Sequence, residues 1–160
     1  MEADELLTRL HGLGATLATA ESLTGGRLAA MLTGVAGASR VYRGGVVAYA
    51  TEVKQELLGV PPELVARHGV VSAECARSMA EGARAALGAT WALSTTGVAG
   101  PDQQEDKPVG TVFVGVAGPG GATVTALELV GDRLAVQERT CREAISALAA
   151  SLPGEEPRLG

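Results

Sequence analysis

Lys54 is one of only two lysines in a chain of 160 residues, whose other basic residues are arginines. It stands in "YATEVKQ", just after an apolar run that predicts a strand. Arginine keeps its proton in proteins, whereas a partly buried lysine can lose its proton and act as a base. In the first turn of a helix, the helix dipole also favours the neutral amine. We therefore weigh Lys54 as a catalytic base against an ordinary solvated lysine, and the pattern alone favours neither.

A serine and two glycines follow the preceding predicted strand, in "AESLTGGR". Ser22 ends the strand, and Thr24, Gly25 and Gly26 turn the chain into a helix. Glycines let a backbone approach a ligand closely, and the first N–H groups of a helix attract negative charge. Such a turn can hold a phosphate, or an oxyanion beside a serine nucleophile. The simpler interpretation is that Ser22 or Thr24 caps the helix, and this stretch alone favours the cap.

A third stretch, "STTGVAGPDQQEDKPVG", breaks a strand at Thr96 and Gly97 and continues as a polar loop over residues 98–108. Loops of this length in compact domains are often functional. Further along, Arg133 in "GDR" opens the last predicted helix. Its guanidinium could bind a phosphate through two hydrogen bonds, or it could be a surface arginine preceded by an Asp132 cap.

A serine nucleophile needs a base, and neither His11 nor His68 lies in a motif that would supply one. A lysine is a known substitute for histidine in this role. Tyr49 ends the strand before Lys54, where an aromatic residue is more often a packing residue than a catalytic one. Together these residues suggest acyl transfer or hydrolysis of a phosphorylated substrate. No spacing of His, Cys, Asp or Glu predicts a metal site.

The composition favours a globular protein, with 46% hydrophobic and 19% charged residues. We expect one domain over residues 1–152 and a flexible tail over 153–160. The net charge is -5 and no basic cluster is present, which argues against nucleic-acid binding. We find no signal peptide and no bilayer-spanning run, so we expect a cytoplasmic protein without a membrane partner. Cys75 and Cys141 lie in helical patterns, which favours buried or surface helix positions over a disulfide.

Hydrophobic periodicity predicts strands that alternate with helices. This order is typical of an α/β fold whose sheet is covered by helices on both faces, and a late hairpin makes the sheet mixed. The predicted helices are 3–14, 23–37, 52–59, 61–69, 72–88 and 132–152, with Ser72 a candidate N-cap. The predicted strands are 15–22, 44–50, 90–97, 109–118 and 122–131.

Five ordered motifs resemble the CinA C-terminal domain family, namely "AESLTGG", "YATEVK", "TGVAGPD", "KPVGTV" and "GDR". The resemblance runs from about residue 3 to 150, and the enzymes of this family are nicotinamide-nucleotide amidases. It implies a three-layer α/β/α sandwich with a mixed sheet. It also implies hydrolysis of nicotinamide mononucleotide to nicotinic acid mononucleotide and ammonia, without a metal or cofactor. A homodimer or higher homo-oligomer is expected by the same resemblance.

The resemblance also implies a role for each matching residue. Ser22 is the expected nucleophile, Lys54 its base, and Tyr49 a residue that orients the dyad or the substrate. The expected substrate-binding residues are Thr24, Gly25, Gly26, Thr96, Gly97 and Arg133, with Arg133 assigned to the phosphate.

Four residues depart from the family pattern. Thr51 stands where the family often has asparagine, Gln103 and Gln104 replace loop glycines, and Gln137 replaces an arginine. These changes leave two alternatives open. One is a pyridine-nucleotide-binding module with weak or no catalysis, and the other is an amidase for a different nucleotide amide. Many family members also carry an N-terminal nucleotide-hydrolase domain.

Overall fold

The computed structural model of the chain describes residues 1–154, which contain six α-helices and five β-strands. The helices are α1 (Ala3–Gly12), α2 (Arg27–Thr33), α3 (Thr51–Leu58), α4 (Pro62–His68), α5 (Ala73–Leu87) and α6 (Arg133–Ser151). The strands are β1 (Leu17–Glu21), β2 (Tyr42–Val47), β3 (Trp91–Gly97), β4 (Thr111–Gly118) and β5 (Gly121–Glu128).

The five strands form one mixed sheet in the order β2-β1-β3-β4-β5. β1 pairs in parallel with both β2 and β3, while β4 is antiparallel to β3 and to β5. The β4–β5 hairpin follows from the turn at 119–120, where the "PGG" signal predicts it. The carboxyl ends of β1, β2 and β3 therefore lie together at one edge of the sheet.

Helices cover both faces of the sheet, which confirms the predicted three-layer arrangement. Alternate residues of β1 face opposite sides, so Leu17 packs with α1, α2 and α6, whereas Ala18 and Ala20 pack with α3, α4 and α5. On the second side the contacts are close. A Cβ at Gly82 of α5 would overlap the carbonyl oxygen of Leu58 at the end of α3.

Some element boundaries differ from those predicted. α2 spans only Arg27–Thr33, and a short 3-10 helix, Ala38–Arg40, precedes β2. β2 ends at Val47 rather than at residue 50, because the next two carbonyls turn toward a lysine side chain instead of a strand partner. β5 ends at Glu128 rather than at residue 131. Most of the predicted 153–160 tail lies outside the described residues.

Both cysteines are free and lie in helices, as predicted, and of the two positions left open, buried or surface, both occupy the buried one. Burial raises the pKa of Cys75 to about 11 and that of Cys141 to about 12, so both thiols stay protonated at neutral pH. None of the helices within residues 1–154 is both long enough and apolar enough to cross a membrane.

Candidate active site

A pocket of about 350 Å³ opens at the carboxyl ends of the three parallel strands. Ser22 directly follows β1, Tyr49 lies two residues after β2, and Thr96 is the second-last residue of β3. The chain leaves β1 through α2 on one face of the sheet and leaves β2 through α3 to α5 on the other. Connections that diverge in this way leave a crevice at the strand ends, where open α/β sheets bind their ligands.

Lys54 and Ser22 meet at the floor of this pocket. The Lys54 side chain is only 1% exposed, and its Nζ lies 2.9 Å from the Oγ of Ser22. Nζ also donates to the carbonyl oxygens of Ala48 at 2.8 Å and Tyr49 at 3.2 Å. Within residues 1–154 no carboxylate forms an ion pair with it. Burial therefore dominates and lowers the pKa of Lys54.

The three partners of Nζ suit a neutral amine. A neutral amine has two N–H donors and one lone pair, and a carbonyl oxygen can only accept. The carbonyls of Ala48 and Tyr49 therefore take both N–H groups, which leaves the lone pair for the Ser22 hydroxyl. After it gains a proton, the amine has a third N–H directed at the same oxygen. The same geometry thus accommodates both protonation states of a general base.

The turn that carries Ser22 is held by backbone and side-chain contacts. Its amide N–H donates to the carbonyl of Thr95 at 3.0 Å, and the N–H of Gly25 donates to the Ser22 carbonyl at 3.1 Å. The carbonyl of Leu23 accepts from Nε2 of Gln137 at 2.8 Å. The N–H of Leu23, which lines the pocket directly after Ser22, has no acceptor among residues 1–154.

In contrast to our expectation, the N-terminal end of α2 does not present free N–H donors to a ligand. The carboxylate of Glu21 accepts the N–H of Leu28 at 2.8 Å, the N–H of Ala29 at 3.1 Å and the hydroxyl of Thr24 at 2.7 Å. Thr24 is fully buried, and neither it nor Gly25 and Gly26 line the pocket. A carboxylate of the chain itself therefore fills the position that we assigned to a substrate anion. The sequence signal that we missed is a glutamate at the end of a strand whose other residues are three apolar residues and Thr19.

Thr96 and Gly97 form the wall contributed by β3. The Thr96 hydroxyl donates to the carbonyl of Val70 at 2.6 Å, which leaves its oxygen free to accept a hydrogen bond from a ligand. Gly97 has a structural reason to be glycine, since a Cβ there would lie 2.6 Å from the carbonyl oxygen of Thr111. The close pairing of β3 with β4 thus excludes a side chain at this position.

Arg133 and Tyr49 meet at the pocket mouth. Arg133 donates from Nη1 to the carbonyl of Gly100 at 2.6 Å and from Nη2 to the Tyr49 hydroxyl at 3.1 Å. The Tyr49 side chain is 62% exposed, so its ring lies at the rim rather than beside the reacting atoms. Asp132 caps α6 by accepting the N–H of Ala135 at 2.9 Å. The Asp132 cap is therefore confirmed, and Arg133 lies at the pocket, where its phosphate contact stays a prediction.

The polar loop over residues 98–108 closes one side of the pocket. The Glu105 carboxylate accepts the N–H groups of Val70 at 3.0 Å and Val71 at 2.7 Å, and Lys107 donates to the carbonyl of Val71. Glu105 and Asp106 have φ angles of 53° and 58°, a left-handed conformation that side chains rarely adopt. The loop is therefore fastened to the opposite wall through its tip.

Three of the four residues that depart from the family pattern line the pocket, namely Thr51, Gln103 and Gln104. The fourth, Gln137, lies behind the turn that carries Ser22. Among residues 1–154, no group of three His, Cys, Asp or Glu side chains is arranged to hold a metal ion. The polar side chains that line the pocket include Ser22, Lys54, Thr96 and Arg133.

Comparison with known sequences agrees with the motifs. Residues 2–152 match the family model described as the CinA C-terminal domain. A CinA-like protein from Frankia casuarinae is 52% identical over 140 residues, which is 88% of this chain and 32% of that protein. A CinA-like protein from Geobacter sp. is 49% identical over 150 residues, 93% of this chain and 36% of that protein. The chain thus spans about a third of the length of the curated relatives that it matches.

Solved structures share the whole fold. The competence damage-inducible protein A from Klebsiella pneumoniae aligns with a TM-score of 0.91 and 35% identity, covering 98% of this chain and 100% of that one. The competence/damage inducible protein CihA from Agrobacterium tumefaciens aligns with a TM-score of 0.89 and 35% identity, covering 92% of each chain.

Proposed function

The chain belongs to the CinA C-terminal domain family, and we propose from this membership and the pocket geometry that it is an amidohydrolase. The proposed reaction converts nicotinamide mononucleotide and water into nicotinic acid mononucleotide and ammonia, a step of pyridine-nucleotide salvage. Because the chain corresponds to about a third of its curated relatives, the proposal concerns the activity of this domain.

One observation carries the proposal, namely the buried amine of Lys54 at 2.9 Å from the Ser22 hydroxyl. A surface lysine would be protonated and paired with a carboxylate or with water. Lys54 is instead desolvated at 1% exposure and held by two backbone carbonyls, and its burial lowers its pKa toward the range of a base. A neutral amine in contact with a serine is the arrangement that general-base activation of a nucleophile requires.

In the proposed first half-reaction, the Ser22 oxygen attacks the carboxamide carbon while its proton passes to Nζ of Lys54. A C–O bond forms and the carbonyl electrons move onto oxygen, which gives a tetrahedral oxyanion. The protonated Lys54 then donates its proton to the amide nitrogen, the C–N bond breaks, and ammonia leaves. Ser22 is left as an acyl ester, and Lys54 is neutral again.

The second half-reaction repeats these steps with water. Lys54 takes a proton from water as the hydroxide oxygen attacks the ester carbon, and it returns that proton to the Ser22 oxygen as the ester C–O bond breaks. Nicotinic acid mononucleotide leaves as a carboxylic acid that ionises in water. One lysine therefore serves both halves, because its position allows proton transfer in both directions.

Other residues of the pocket fit substrate contacts. The free N–H of Leu23 follows the nucleophile directly, and in this proposal it donates to the oxyanion. The guanidinium of Arg133 still has three N–H groups that its two contacts do not use, and we assign them to the phosphate. The Thr96 oxygen can accept a hydrogen bond from the amide of the substrate.

The test is ammonia release from nicotinamide mononucleotide by the purified chain and by Ser22→Ala, Lys54→Ala and Lys54→Arg. We expect turnover in the parent and a loss of roughly a hundred- to ten-thousand-fold with either lysine variant, the range of a general base. Arginine keeps the charge but cannot give up a proton, so Lys54→Arg should not restore activity. Ser39→Ala, an exposed serine of the 3-10 helix, is the matched control and should keep full activity.

A second candidate function is hydrolysis of a different nucleotide amide, which the two glutamines in the pocket loop favour. Gln103 and Gln104 place carboxamide groups where the family often has glycine, so the space and the hydrogen bonds offered to a substrate differ. Comparing kcat/KM over a panel of nucleotide amides would distinguish the two reactions. Nucleotide binding by calorimetry without turnover of any amide would instead indicate a binding module.

A further inference from the structure

Two side chains of the first turns of α6 contact all three loops that build the pocket. Arg133 contacts Tyr49 after β2 and Gly100 after β3, as described above. Gln137 is four residues further, on the same face of the helix, and contacts Leu23 after β1. A single helix face thus fastens the nucleophile turn, the lysine loop and the long pocket loop.

The contact of Gln137 is specific in chemistry as well as in position. Its side chain is only 8% exposed, and its Nε2 lies 2.8 Å from the carbonyl oxygen of Leu23. That oxygen can only accept, so the amide orientation of Gln137 is determined. Leu23 is the residue directly after Ser22. Gln137 itself does not line the pocket, and so it cannot act by touching a substrate.

We propose that Gln137 is a positioning residue for Ser22, an inference that rests on the proposed nucleophile. By holding the Leu23 carbonyl, Gln137 fixes the peptide between Leu23 and Thr24, one residue beyond Ser22, and keeps the turn from rotating. Ser22 is otherwise held by its own N–H and by the contact between its carbonyl and Gly25. The third contact keeps Oγ at 2.9 Å from Nζ of Lys54 and the Leu23 N–H directed at the oxyanion.

The variants Gln137→Met and Gln137→Glu test this role. Methionine has nearly the same shape without a donor, and glutamate places an acceptor against the Leu23 carbonyl. The first readout is the rate at which a small fluorophosphonate modifies Ser22, because this probe needs no contact with the nucleotide site. Its phosphorus bonds to Oγ, fluoride leaves, and Lys54 takes the hydroxyl proton. The second readout is kcat and KM for nicotinamide mononucleotide.

We expect both variants to slow modification of Ser22 and kcat by about ten- to a hundred-fold, the effect of a displacement near 1 Å. KM should change by less than about threefold, because the lost contact does not involve the substrate. Ile145→Val, a buried position of the same helix remote from the pocket, controls for lost stability. It should lower the melting temperature without changing either rate at 25 °C.

Several results would overturn the proposal. One is modification of Gln137→Met at the parent rate, and another is a loss no larger than that of Ile145→Val. A rise in KM at constant kcat would show that the contact does not position Ser22 for the chemical step. If the parent chain is not modified at Ser22, the proposed nucleophile is wrong and this inference falls with it. If the parent and the Gln137 variants are modified at equal rates, the positioning role of Gln137 is wrong but Ser22 remains the proposed nucleophile.

Discussion

Replacing Glu21 by glutamine should lower the free energy of unfolding by about 3 kcal/mol. The buried carboxylate accepts three hydrogen bonds, two at one oxygen from Thr24 and Leu28 and one at the other from Ala29. Glutamine keeps one acceptor oxygen, so two bonds survive in a weaker, uncharged form, at a loss of roughly 1 kcal/mol each. Its NH2 group faces the N–H of Ala29, which removes the third bond at roughly 1–3 kcal/mol. Easier burial of a neutral group offsets part of this loss.

Urea unfolding followed by the fluorescence of Trp91, the only tryptophan, measures this difference directly. A loss of 3 kcal/mol corresponds to a decrease in melting temperature of roughly 6–12 °C for a domain of this size. Glu143→Gln is the matched control, since Glu143 pairs with Arg139 on the surface at 2.8 Å. An exposed pair contributes at most about 1 kcal/mol, so the control should unfold close to the parent.

The reasoning would be refuted if the unfolding free energies of the Glu21 and Glu143 variants were the same. The Glu21 carboxylate at the N-terminal end of α2 would then contribute no more to the free energy of unfolding than the surface carboxylate of Glu143 on α6. A Glu21→Gln variant more stable than the parent would show that the cost of burying this charge exceeds the value of its three hydrogen bonds.

Three further predictions concern the pocket and its surroundings. The kcat of amide hydrolysis should rise with pH through a single deprotonation step, at a pKa below the ordinary lysine value of 10.5. Burial lowers the pKa of Lys54, and its neutral amine is the base. A pH-independent kcat would contradict this. Glu105→Gln should raise KM and speed cleavage of the loop 98–108 by a nonspecific protease several-fold. The N–H groups of Val70 and Val71 lose their carboxylate acceptor in this variant, so the loop is held less firmly. An unchanged cleavage rate would show that other contacts hold the loop. Gly82→Ala should lower the free energy of unfolding by about 1–3 kcal/mol, because the alanine methyl group would overlap the Leu58 carbonyl. A stability equal to that of the parent would show that α3 and α5 can move apart without a loss of stability.

The kinds and order of the elements were predictable because they depend on local patterns. Apolar residues at helical spacing predicted α1 and α5, and Ser72 was correctly expected to cap α5 through its side chain. Glycines and prolines marked the turns. Boundaries were less accurate where a distant partner decides where hydrogen bonding ends, as at Val47, after which the backbone carbonyls turn to Lys54.

The identities of Ser22 and Lys54 stood out in the sequence, but their chemistry did not follow from it. A lysine after a strand is equally compatible with solvent and with burial. Only the packed structure shows Lys54 at 1% exposure and within 2.9 Å of a serine 32 positions earlier. Its lowered pKa is a consequence of desolvation, which no sequence pattern specifies.

By itself, the sequence determined the α/β class, the strand ends at which chemistry could occur and the family, because periodicity and ordered motifs are properties of neighbouring residues. The tertiary structure decided which of those residues meet. In the folded chain the N–H groups at the start of α2 donate to the Glu21 carboxylate rather than to a ligand. Gln137 donates to the carbonyl of Leu23, which lies 114 positions earlier in the chain. Contacts of this range depend on how helices pack against the sheet, and hydrogen bonds then form only between groups that the packing brings within about 3 Å.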